Sequence, residues 1–334
     1  MSDVEMGVTS RLSAVGEVRL EDWEEVAELA GRVQEGVAHA FRGKPDVIEG
    51  CVVTLLAGGH LMIEDFPGVG KTLLAKALAR SVDCRFARIQ FTPDLLPSDI
   101  TGVNIFNQKK GEFEFRPGPI FANIVLADEI NRASPKTQSS LLECMQERQA
   151  TIDSVTYPLE PPFMVIATQN PIEYEGTYAL PEAQLDRFMM RLRLGYPTPD
   201  DEALLLDEGT SASFLERVPT VVSAREVLRM STVAEKVRAV EEVRRYVVAL
   251  VGASRSTPDL FLGASPRAGL ALLAAARALA LLRGRDYVIP QDVKELAIRV
   301  LSHRVILSPE ARMHGKSTES VLADLLNSVP SPRV

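Results

Sequence analysis

Between positions 23 and 41 the apolar residues Trp23, Val26, Leu29, Ala30, Val33, Val37 and Phe41 recur at three- and four-residue steps, the period of a helix with one buried face. Residues 1–20 show little periodicity and read as a loose tail. From Leu61 to about Pro197 the pattern changes to short apolar runs: Leu61–Ile63, Phe86–Phe91, Ile124–Ala127, Phe163–Thr168 and Met189–Leu194. Runs of this kind are strands buried on both faces, and their alternation with helices predicts a parallel α/β sheet. Two segments break the rhythm and read as inserted hairpins: Val103–Phe121, with a polar turn at Gln108–Gly111, and the alternating stretch Ala150–Leu159. Tyr196-Pro197-Thr198-Pro199 then stops regular structure, and everything beyond predicts helix, at Ser223–Met230, Val233–Val251, Ser265–Leu282 and Pro290–Val300. The expected organisation is a flexible tail at 1–20, an α/β core with its N-terminal helix at 21–198, and an α-helical lid at 199–334.

Composition narrows the function classes. The 334 residues are 46% hydrophobic and 25% charged, an ordinary globular balance. A formal charge of −8 provides no global positive field, so nucleic acid is not an expected partner. No apolar run is long enough for membrane insertion, and the acidic start MSDVEMGVTS is no secretory signal. Cys51, Cys84 and Cys144 are widely spaced without a CxxC pair, which fits a reducing cytoplasm. His39, His60, His303 and His314 lie far apart without ligand-like spacing, so no structural zinc is expected.

The chemistry is concentrated in a few places. Pro67-Gly68-Val69-Gly70-Lys71-Thr72-Leu73 follows the run Leu61–Ile63 and opens a helix pattern, which is the strand, turn and helix order of a phosphate-binding loop. Gly68 and Gly70 let backbone N–H groups point inward at a helix N-terminus, Lys71 adds charge at the β- and γ-phosphates of ATP, and the Thr72 hydroxyl can ligate Mg2+. The usual GxxxxGK[ST] pattern begins with Gly, where this chain has Asp65. Downstream, four apolar residues end in Asp128-Glu129; Asp128 suits magnesium, usually through water, and Glu129 suits a general base for an attacking water. Phe163–Thr168 ends in Gln169-Asn170-Pro171, which delivers Asn170 to the same sheet edge, placed to orient that water.

Taken together, these features resemble the AAA+ superfamily, and four stretches look like its MoxR family: LLAGGHLMIEDFPGVGKTLLAKALA, RIQFTPDLLPSDITG, FRPGPIFANIVLADEINRASPKTQSSLLECMQERQ and GTYALPEAQLDRFMMRL. By that resemblance Lys71 and Thr72 belong to Walker A, Asp128 and Glu129 to Walker B, and Asn170 is sensor 1. Arg187 would be the arginine finger, with Arg191 and Arg132 as neighbouring candidates, and Arg267 would be sensor 2. Gly43, in Arg42-Gly43-Lys44, would lie near the adenine. The two hairpins would match the helix-2 insert and pre-sensor-1 hairpin of the branch shared with magnesium chelatase motors. The resemblance further implies a hexameric homo-oligomeric ring, a von Willebrand factor A domain partner and a chaperone-like action on protein substrates. A nucleotide-gated scaffold with little turnover, a chelatase-type motor subunit and a DNA-translocating ring remain the alternatives.

Overall fold

The computed structural model describes residues 20–170, 177–208 and 211–333; the expected tail lies outside them except for Leu20. The chain runs through α1 (Leu20–Ala38), α2 (Pro45–Leu56), β1 (Leu61–Glu64), α3 (Lys71–Ser81), β2 (Phe86–Gln90) and α4 (Pro97–Thr101). A hairpin follows, β3 (Gly102–Asn107) with β4 (Glu112–Pro117), then β5 (Ile124–Asp128) and α5 (Pro135–Glu147). A second hairpin, β6 (Gln149–Ile152) with β7 (Val155–Pro158), leads to β8 (Met164–Gln169), α6 (Glu182–Leu185) and β9 (Met190–Leu192). Both hairpins coincide with the segments the sequence pattern marks, each beginning one residue earlier, at Gly102 and Gln149, and all five apolar runs become the five strands of the central sheet.

That sheet has the order β2-β5-β8-β1-β9 with every pair parallel. Successive residues of one strand face opposite sides, so each strand feeds two cores. Leu61, Ile63, Ile124 and Leu126 pack with α1, α2, α3 and the C-terminal helices. Met62, Val125 and Ala127 pack with α5 and the loops around it. Burial on both sides explains why these runs show no polar alternation.

After β9 come α7 (Pro199–Glu208), α8 (Ser211–Glu216), α9 (Ala224–Lys236), α10 (Glu241–Ser256), β10 (Leu260–Leu262), α11 (Pro266–Leu282), α12 (Pro290–Leu301), β11 (Ile306–Leu307), α13 (Pro309–Met313) and α14 (Thr318–Ser328). Two features depart from the expected purely helical lid. The first is the antiparallel ribbon β10–β11, too short to leave a periodic signal. The second is a helix break at residues 237–240, where the pattern predicts continuous helix from Val233 to Val251. There Arg238 N donates to Asp286 O at 2.9 Å, and Val288 N donates to Arg238 O at 2.8 Å, a bridge that takes Arg238 out of the helix. The Ala- and Leu-rich α11 lies at the centre, burying Leu272, Ala275, Ala276 and Leu279 completely.

α12 is anchored by a buried ion pair. Asp292 is 0% exposed and receives Arg285 Nη2 at 2.6 Å, Arg285 Nη1 at 2.8 Å and Ile289 N at 2.9 Å. Asp292→Ala would leave a guanidinium and a helix-start amide without their acceptor. The expected cost is about 3 kcal/mol, read as a lower urea midpoint against wild type, whereas an unchanged midpoint would assign no stabilising role to the pair.

Candidate functional site

β1 delivers the loop at Asp65–Gly70 to the carboxyl edge of the sheet. Gly68 and Gly70 have φ of +84° and +95°, and a Cβ on Gly70 would meet the Phe41 ring at 3.1 Å, so glycine is required there both by backbone and by space. Among the described residues the N–H groups of Gly68, Val69 and Gly70 make no hydrogen bond. Unpaired donors ahead of the α3 N-terminus, with Lys71 Nζ only 2.7 Å from Asp65 O, form a cradle suited to polyphosphate. Thr72 and Leu73 follow in the first turn, half-buried, while Pro67 is exposed. Phe66 stacks on Tyr196 with ring centroids 5.7 Å apart. Gly43 has φ +76°, and the Asp201 carboxylate occupies the place a Cβ would take, which brings the start of α7 against the chain between α1 and α2.

Asp65, at the position where the usual pattern has Gly, is 4% exposed. Its Oδ1 accepts from Phe66 N at 2.8 Å, and its Oδ2 accepts from Leu194 N at 2.5 Å and Gly195 N at 2.6 Å. The carboxylate therefore ties the phosphate loop to the segment leaving β9. Its sequence signal was the departure itself, an acid opening the loop.

The acidic pair sits two strands away. Thr168 Oγ1 donates to Asp128 Oδ1 at 2.6 Å, and Arg88 donates to Asp128 Oδ2 from Nη2 at 2.6 Å and Nε at 3.1 Å. Glu129 adopts the left-handed region, φ +57°, with its N–H on Thr168 Oγ1 at 2.9 Å. Its Oε2 receives Gln90 Nε2 at 2.9 Å and Arg132 Nη1 at 3.0 Å. Asn170, just past β8, is 6% exposed; β8 lies between β5 and β1, so Asn170 is between the acids and the phosphate loop. Pro171, its neighbour in the motif, is outside the described residues. Arg88, Gln90 and Thr168 are site residues that sequence pattern alone did not mark, because nothing local reveals which β2 and β8 side chains meet β5.

The candidate arginines separate clearly. Arg132 holds Glu129, and Arg191 pairs with Glu64 at 3.3 Å and Glu319 at 2.8 Å, so both are engaged by carboxylates of their own chain. Arg187 and Arg267 instead line one cavity with Gly58, Gly59, His60 and Met189, residues at the amino ends of β1 and β9. They are on the opposite edge of the sheet from Lys71 and Asp128.

A phosphate cradle, an acidic pair and a buried amide on one edge of a 2-5-8-1-9 parallel sheet, with a helical lid, define a P-loop ATPase of the AAA+ class. Residues 60–190 match the family model described as ATPase family associated with various cellular activities (AAA), and residues 252–325 match the AAA lid domain. The chain is 48% identical to the uncharacterized protein YeaC of Bacillus subtilis, over 92% of this chain and 97% of that protein. It is 45% identical to Chaperone MoxR1 of Mycobacterium tuberculosis, over 87% of this chain and 79% of that one. The crystal structure of a Cytophaga hutchinsonii protein, solved under the provisional description of an ATPase, superposes with a TM-score of 0.88 at 41% identity, covering 98% of this chain and 100% of the other. The chain belongs to the MoxR family of AAA+ ATPases: it binds nucleotide and hydrolyses ATP. No helix among the described residues is long and apolar enough to cross a membrane.

Asp65→Ala would leave three buried or half-buried backbone donors unpaired, at about 1–3 kcal/mol for each that water cannot reach. A lowered melting temperature together with weakened binding of a fluorescent ATP analogue is expected, with Asp65→Asn intermediate. Full ATP affinity in Asp65→Ala would show that the loop holds its shape without this tie.

Proposed function

We propose that the chain is one subunit of a magnesium-dependent, ring-forming ATPase in which each nucleotide is shared between neighbours. The observation that carries this reading is the separation of Lys71 and Asp128 from Arg187 and Arg267 by the length of a strand, about 13 Å for four residues. Arginines on the amino edge meet a γ-phosphate at the carboxyl edge only if that phosphate belongs to an adjoining copy. In the proposed division of labour, Pro67, Gly68, Val69, Gly70, Lys71, Thr72 and Leu73 hold the phosphates, and Gly43 borders the base. Thr72 and Asp128 would hold the magnesium that accompanies ATP, which supplies charge neutralisation at the phosphates. Glu129 takes the proton of the attacking water and Asn170 orients it. Arg187 and Arg267 stabilise charge on the transferring phosphoryl group from across the interface.

The core at 21–198 and the lid at 199–334 are the proposed moving parts, with nucleotide state read out as their relative displacement. The MoxR resemblance supports a hexameric ring working in the cytoplasm with a von Willebrand factor A domain partner. The name of the Mycobacterium tuberculosis relative supports a chaperone-like action on protein substrates.

The test is ATP hydrolysis across a protein concentration series for wild type, Glu129→Gln, Arg187→Ala and a mixture of the two variants. Specific activity should rise with concentration, fall in each variant and partly return on mixing, with Arg187→Ala losing on the order of 10³-fold. Activity that is independent of concentration and survives without Arg187 would overturn the shared site. The bond between Arg88 and Asp128 generates a second expectation. Both Asp128 oxygens are engaged, one by Thr168 and one by Arg88, so Arg88 competes with a cation for the carboxylate. Arg88→Ala should lower the magnesium concentration for half-maximal hydrolysis by about fivefold, the worth of a half-exposed pair; a rise in that concentration would instead make Arg88 a support for the metal site.

A further inference from the structure

Arg187 and Arg267 do not line their cavity of ≈ 370 Å3 alone: Arg148 and Arg304 border it too. Arg304 is committed, with Nη1 at 3.2 Å from Asp186 Oδ1 and Nη2 donating to Phe188 O at 2.8 Å. The other three have no carboxylate partner among the described residues. Arg148 Nη2 donates to the carbonyl of Gly58, Arg187 Nη1 donates to the carbonyl of Leu142, and among the described residues the Arg267 guanidinium makes no hydrogen bond. Three cations thus face a space whose single lining acid, Asp186, is already neutralised. Their surplus charge is felt nearby. His60 is pushed down to about 4, first by burial and then by Arg148, and burial lowers Arg304 to about 10, with repulsion from Arg267 adding to it.

Arg148 is also unusual for its place in the fold. It closes α5 at φ +51°, a left-handed cap that suits glycine and that a residue with a Cβ adopts at a cost. One bond to a neutral carbonyl uses one of its five N–H donors, so pinning Gly58 leaves most of the group's capacity unspent. We infer that Arg148 is a third trans-acting cation, contacting the terminal phosphate of the nucleotide held by the adjoining copy, beside Arg187 and Arg267. This rests on the shared-site reading above.

Arg148→Ala should lose turnover on the order of 10²-fold, the usual effect of removing one donor to a charged transition state. Binding of a fluorescent ATP analogue to dilute protein should stay at the wild-type level, because the subunit's own cradle is untouched. The ATP concentration that drives assembly, followed by sedimentation, should rise. The deciding experiment mixes Arg148→Ala with Glu129→Gln, with Arg187→Ala plus Glu129→Gln run in parallel. An interface between the two parents joins the intact Glu129 of one to the intact Arg148 of the other, so activity should partly return. Recovery for the Arg187 pair without recovery for the Arg148 pair would overturn the proposal and leave Arg148 a helix-end support within its own subunit. Recovery in neither would overturn the shared site and this proposal together. If Arg148→Ala does not fold, Arg148→Lys, which keeps the charge but not the planar fork, takes its place in the same mixture. Wild-type turnover and assembly in the Lys variant would support a phosphate contact through charge, and reduced turnover not rescued by Glu129→Gln would overturn it.

Discussion

Parallel pairing of β1, β5 and β8 is the constraint on which the site depends. Because the strands run in one direction, the residues that leave their carboxyl ends, Asp65 to Lys71, Asp128-Glu129 and Asn170, all emerge on the same edge although they are far apart in sequence. The same polarity sends the amino ends of β1 and β9, with Arg187 just before β9, to the other edge. One backbone hydrogen-bond pattern therefore separates the phosphate cradle from the cationic cavity, and the two-edged chemistry of the chain follows from it.

Electrostatics sharpen this division. On the carboxyl edge Asp128 and Glu129 each have a cationic partner of their own chain, Arg88 and Arg132, so both carboxylates are held in place. On the amino edge the balance is reversed, with the Arg148 and Arg187 guanidinium groups resting on carbonyls. A carboxylate held by a cation tolerates a low-dielectric pocket, whereas an arginine held only by a carbonyl remains able to receive an anion.

The helical lid is coupled to the amino edge through a small buried network. His303 Nε2 lies 2.8 Å from Phe188 O, Arg304 contacts Asp186 and Phe188, and Ser265 Oγ lies 3.2 Å from Asp186 Oδ2. Burial holds His303 down to about 3, so it is neutral at physiological pH. Asp186, the neighbour of Arg187 in sequence, is thus fastened to residues flanking Arg267 and β11. The lid is thus joined directly to the segment that carries Arg187.

The periodicity of the chain by itself determined the five buried strands, both hairpins and the first helix, because those signals reside in local alternation of apolar and polar residues. It also determined Lys71, Thr72, Asp128, Glu129 and Asn170 as candidates, since each motif is contiguous. Only the tertiary structure decided what these groups touch. That Asp65 binds amides at 194–195, that Arg88 and Thr168 share Asp128, and that Arg148 lines one cavity with Arg187 and Arg267 are juxtapositions across 39 to 130 positions of sequence. The ribbon β10–β11 and the break at Arg238 are of the same kind, for a two- or three-residue strand has no period to read and is fixed only by its distant partner.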